Sequence, residues 1–215
     1  MASLRRACYA AERRETSKVG QRSDSSAVGF SIHTGWAAAV VVSGPLRAPR
    51  IVARQRVRLA DSDDTVRAQV YHRAADLSAG AAATLVGKAR DAAARRAGEA
   101  MRALRAAHRL NAAGMVASAA KIPSDLATIL RSHALIHAAE GALYREALER
   151  AAEDCDLTIV RIPRRELPDR FASVLGLDAA GARDLLAAMG RPAGPPWARD
   201  QKDAAMAAIV ARLSD

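Results

Sequence analysis

With 215 residues, half of them apolar, the chain is long enough for one α/β domain with a sizeable core, or at most two small ones. Its two cysteines, Cys8 and Cys155, fit neither a disulfide framework nor a CxxC metal pattern, and no run of about 18 apolar residues exists to span a membrane. The net charge of +10 favours polyanionic partners, because Arg and Lys neutralise phosphates and release counterions, although a solvated basic surface gives the same balance.

Much of the apolar half is alanine and only 3% of the chain is aromatic, so helices are expected to pack closely through small side chains. The cysteine usage and the lack of a signal-peptide core lead us to expect a reducing, cytoplasmic setting. Residues 1–27 are polar, Ser-rich and aperiodic, and are expected to be a disordered basic tail or an extension from a misplaced start codon. Six basic and three acidic residues there contribute +3, which leaves +7 for residues 28–215.

Three strands are expected in quick succession at Val28–Ile32, Trp36–Ser43 and Arg50–Leu59. Short Gly- and Pro-containing turns join them into an antiparallel meander. In the third strand, Ile51, Ala53, Gln55, Val57 and Leu59 alternate with Arg50, Arg54, Arg56 and Arg58, which predicts a core face and a basic face. "DSDDTV" then supplies helix-capping chemistry for a helical region from about Val66 to Leu110, interrupted near "LSAG". A buried-type strand begins at Ala112, a long helix runs from Ser124 to about Asp154, and a fifth strand begins at Leu157. A helical segment from Arg164, a Pro/Gly loop and a last helix to Leu213 complete the order β-β-β-α-β-α-β-α.

On the long helix His133, His137 and Glu140 stand at i, i+4 and i+7, on the stripe that also carries Leu126, Ile129, Ile136, Tyr144, Ala147 and Leu148. Buried polar groups need partners, so one reading is a structural pair between Glu140 and a histidine. The other is a site shared with His33 of the first turn, for a transition metal or for general acid–base catalysis. Trp36 is either a packing residue or a base-stacking one, while His72 and His108 belong to no pattern and are expected at the surface. Arg54 and Arg56 on the third strand, with Arg161, Arg164 and Arg165 around the end of the fifth, are the candidate phosphate contacts. Asp200 and Asp203 lie three apart in the first turn of the last helix, where the macrodipole favours carboxylates, beside the small-residue face of Ala204, Ala207 and Val210.

The element order is similar to that of the ribonuclease H-like superfamily, and several segments resemble its RuvC-type Holliday-junction resolvase branch. "VGFSIHTGW" stands where that family has a strand ending in Gly-Ile-Asp-Pro-Gly, with Gly29 and Gly35 keeping the frame, and "RDQKDAAMAAIVA" resembles its terminal Asp-x-x-Asp-Ala-Ala helix. The resemblance implies one α/β domain over residues 28–213, with a five-stranded mixed sheet in which two parallel strands extend the meander and helices flank it. It also implies nucleic acid as partner and divalent metal (Mg, Mn or Zn) held by Asp200 and Asp203. The family's strand-one acid falls at Ser31 and its strand-four acid near Ser118, and a serine gives a hard cation no anionic oxygen. Hence the expected function is a divergent domain that binds or acts on nucleic acid without a conventional two-metal site. The alternatives are a metal-dependent nuclease or hydrolase with a rearranged His/Glu/Asp site, and a non-catalytic protein-interaction domain.

Overall fold

The computed structural model describes residues 26–61, 65–117 and 121–213. The expected tail up to residue 25, the capping run at 62–64 and Ser118 lie outside the described residues. Strand β1 spans Ser26–His33 and therefore starts two residues before the expected Val28. It turns through Thr34 and Gly35 into β2, Trp36–Ser43, with His33 opposite Trp36. Gly35 takes φ +83°, which an L side chain rarely adopts, so the hairpin requires a glycine there. Strand β3, Arg50–Arg58, pairs antiparallel with β2 and completes the meander. Strands β4, Leu110–Ala117, and β5, Thr158–Pro163, add in parallel beyond β1, so the sheet order is β3-β2-β1-β4-β5.

The β3 alternation is broken. A register shift between Val41 and Val42 sends Ile51 to one face of the sheet, whereas Ala53 and Val57 pack on the other. Gln55, expected in the core face, is exposed, as an edge strand permits.

The helical region after β3 is split into α1 (Thr65–Ala68), α2 (Val70–Ala75) and α3 (Ala79–Ala107). Ser78, with ψ 153°, is extended and separates the last two. The long helix after β4 is likewise divided into α4 (Leu126–Leu130) and α5 (His133–Glu153). Ser132 marks this division by capping α5, accepting from Leu135 N at 3.4 Å, while Asp125 caps the start of α4, accepting from Thr128 N at 2.8 Å. After β5 come α6 (Leu167–Leu175), closed by Gly176 at φ +64°, then α7 (Ala179–Ala193) and α8 (Arg199–Leu213).

The sheet is covered on both faces. Val28, Phe30 and Met115 pack with residues of α3 and α5, while Ala27 and Ala112 pack with α6, α7 and α8. Helix α8 lies directly on β1 and β4 because the strands present glycines to it. A Cβ on Gly29 would fall on the Ala204 carbonyl, and one on Gly114 on the Ala207 carbonyl. This approach places the first turn of α8 over the C-terminal end of β1, where the candidate site residues meet.

Candidate functional site

Successive side chains of β1 alternate between faces. Phe30 therefore joins the α3–α5 layer, while Gly29, Ser31 and His33 point toward α8. Ser31 is fully buried, and its Oγ lies 3.4 Å from Asp200 Oδ1 and 3.5 Å from Arg164 Nη2. Half-buried His33 brings Nε2 to 2.9 Å from Asp200 Oδ1. That contact lies off the hydrogen-bonding direction, so the nitrogen has no aligned partner. The His33 ring stacks on Trp36 with centroids 4.3 Å apart, and the Arg56 guanidinium sits 4.1 Å from the Trp36 centroid.

Arg164 follows β5 directly and donates to Asp203 Oδ2, with Arg199 Nε 3.8 Å from the same oxygen. Burial of Asp203 raises its carboxyl above the ordinary range, and the neighbouring Arg164 and Arg199 charges only partly offset this. Beside this cluster the ends of β1, β4 and β5 form a cleft lined by Ile32, Val116, Pro163, Arg145, Arg164 and Arg165. Burial lowers the pKa of Arg145, whose guanidinium remains charged all the same.

Among the described residues of this cluster, both carboxylates face nitrogen groups of the chain itself: the His33 imidazole at Asp200, and the Arg164 and Arg199 guanidinium groups at Asp203. The other oxygen among the described residues there is the buried Ser31 hydroxyl. Hard divalent cations need several anionic oxygens to offset dehydration, so this donor set does not fit a pair of them.

His133, His137 and Glu140 lie elsewhere. Helix α5 belongs to the opposite layer, so they do not share a cluster with His33, as the sequence stripe had led us to expect. Glu140 is buried, as the stripe implies, but His133 and His137 are exposed. They occupy the first two turns of α5, where the facing element is the short helix α2 rather than a continuous apolar layer. There they meet His72, with ring centroids 5.5 and 4.6 Å from it. Glu140 Oε1 accepts from Tyr71 N at 2.7 Å and His72 N at 3.2 Å, and lies 3.3 Å from His72 Nδ1.

The arginines divide by role. Arg54 is not a free phosphate contact: its guanidinium donates to the carbonyls of Ala193, Gly194, Pro195 and Pro196, and so ties β3 to the loop before α8. Arg161 donates to buried Glu149 at 2.6 Å. Arg165, with a side chain 86% exposed, lies at the cleft and, among the described residues, approaches one carboxylate, Glu166, at 3.7 Å. Sequence reasoning missed His72 and Arg145: His72 has no companion at helical spacing within α2, and nothing local marks Arg145 as bordering a cleft formed by three strand ends.

A five-stranded mixed sheet of this order, with helices on both faces, is the ribonuclease H-like fold. The chain is similar to T. thermophilus RuvC in complex with a Holliday junction substrate, at a TM-score of 0.50 and 11% identity over 86% of this chain and 91% of that one. A second Thermus thermophilus RuvC structure gives a TM-score of 0.48 and 10% identity over the same shares. At such identity the likeness is one of fold. No protein-family model and no curated protein sequence matches the chain. Among the described residues no helix is long and apolar enough to cross a membrane.

Proposed function

We propose that this chain is a ribonuclease H-like domain that binds nucleic acid through phosphates and does not cleave it by two-metal chemistry. The observation that carries the reading is the strand-end cluster, where Arg164 and Arg199 hold Asp203, His33 faces Asp200, and Ser31 supplies a hydroxyl in place of a carboxylate. A guanidinium fixed by an internal carboxylate removes the anionic oxygen a metal would need, yet leaves a basic cleft to receive a phosphate. The excess of basic residues supports the same partner, since charge neutralisation supplies most of the sequence-independent affinity. The similarity to a RuvC bound to a Holliday junction makes branched DNA the first ligand to try.

The experiment compares a four-way junction, duplex DNA, single-stranded DNA and duplex RNA by fluorescence anisotropy, together with cleavage of each in Mg, Mn and Zn. Binding that weakens by a large factor between about 50 and 200 mM salt, with every substrate intact, is the expected result. No binding to any of the four at low salt overturns the reading and leaves protein interaction as the use of the surface. Metal-dependent cleavage that Asp203→Asn abolishes overturns its non-catalytic half.

A further inference from the structure

The cluster between α2 and α5 has features that a chance meeting of surface histidines lacks. His133 and His137 are one turn apart on α5, with their Nε2 atoms 2.9 Å from each other. Ligand-capable atoms of His72, His133 and His137 all lie within 4.8 Å of one another. In tetrahedral coordination with metal–nitrogen bonds of about 2.0–2.1 Å, neighbouring ligand nitrogens stand roughly 3.4 Å apart. A small opening of the His133–His137 pair would therefore admit an ion.

The third histidine is oriented by a carboxylate beneath it. Glu140 is 3% exposed, and its Oε1 is fixed by the two backbone N–H groups of Tyr71 and His72 as well as lying against His72 Nδ1. With Nδ1 turned to Glu140, Nε2 of His72 is left for a ligand. Tyr144 helps hold the two elements together by donating to the Ala68 carbonyl at 2.8 Å. The other carboxylate oxygen, Oε2, is buried and has no hydrogen-bond partner among the described residues. A buried carboxylate left half-satisfied is costly unless positive charge stands near it, and a cation on the far side of the imidazole supplies that charge.

We propose that His72, His133 and His137 bind one divalent transition-metal ion of the zinc class, with Glu140 orienting His72 and the fourth coordination position open to solvent. Imidazole nitrogen selects zinc, cobalt, nickel or copper over magnesium and calcium, which take oxygen ligands. Three protein nitrogens with two exposed ligands leave room for a water at the fourth position. This site is separate from the strand-end cluster and stands or falls independently of nucleic-acid binding.

The test titrates the metal-free full-length chain with ZnCl2 by calorimetry and with CoCl2 by visible absorption. One equivalent per chain is expected, with a tetrahedral cobalt spectrum and a rise in Tm on adding zinc. His137→Ala and His133→Ala change exposed side chains and should leave circular dichroism unaltered while weakening zinc more than about 100-fold. Glu140→Gln, which acts through His72, should weaken it by roughly 10–100-fold. Absence of saturable binding to the wild-type chain overturns the proposal. So does one equivalent that survives His137→Ala and His133→Ala, including one that His33→Ala removes.

Discussion

At the scale of single residues, Asp203 carries a conflict that pH can expose. Its burial raises the carboxyl pKa from the ordinary 3.8 despite the Arg164 and Arg199 charges. The folded chain therefore keeps this proton at pH values where the unfolded chain has released it, so ionisation opposes folding. Against Asp203→Asn, the wild-type chain should show a constant stability difference below pH 3.8, and should then lose stability relative to the variant as pH rises through the elevated value. Parallel thermal melts from about pH 3 to about pH 7 measure this, and a wild-type advantage that grows with pH would mean that the Arg164 pair outweighs burial. Asp200, Asp203 and the buried Glu140 were legible in the sequence, since spacing assigns a residue to a face of its element, whereas Ser31 was singled out by the resemblance alone. What spacing cannot give is the partner across that face. Arg164 reaches Asp203 across 39 residues and Glu140 reaches Tyr71 across 69, and neither pairing leaves a local mark.

At the scale of elements, the close seating of α8 on the sheet depends on the small side chains the composition emphasises. Gly114→Ala should cost at the top of, or above, the roughly 1–3 kcal/mol of overpacking, because the obstacle is the Ala207 backbone carbonyl, which has no rotamer with which to yield. Gly87→Ala, in the middle of α3 with nothing within 4 Å of the added methyl, should instead stabilise by about 0.5–1 kcal/mol. Urea denaturation of the two variants checks the contrast, and equal effects would show that α8 can lift from β1 and β4 without penalty. The antiparallel meander and the small-residue face of α8 were readable because apolar alternation and turn residues act over a few positions, whereas the two parallel strands beyond it were expected from the resemblance. The break at Ser78 was readable too, within "LSAG", but the division between α4 and α5 was not, since Ser132 interrupts an apolar period that otherwise runs on unbroken. Nor was the fate of Ile51: Val41 pairs with Ala53 and Val42 with Ile51, so Val52 is the extra residue of a bulge within β3 itself.

At the scale of the whole molecule, the question is whether the positive charge acts as a diffuse coat or through the cleft at the ends of β1, β4 and β5. Of the arginines there, Arg164 is held by Asp203 and Arg145 is largely buried, whereas Arg165 projects into solvent with only a distant carboxylate beside it. Arg54 provides the contrast: it belongs to the basic side of β3 by sequence, yet its donors are turned onto the carbonyls of residues 193–196. If phosphates enter the cleft, Arg165→Ala should weaken binding by a similar factor for every nucleic-acid sequence, because backbone contacts carry no base information. It should also reduce the slope of log affinity against log salt by about 1, the loss of one neutralised phosphate. Arg54→Ala should lower Tm by freeing the loop before α8, while the folded variant retains both the affinity and the salt slope of the wild type. Titrations of one junction and one duplex at four salt concentrations distinguish the cases. A slope unchanged by Arg165→Ala but reduced by Arg54→Ala would move the binding surface from the cleft to the β3 edge. Equal small reductions for both would mean that the charge works as a coat, steering polyanions without a defined phosphate site.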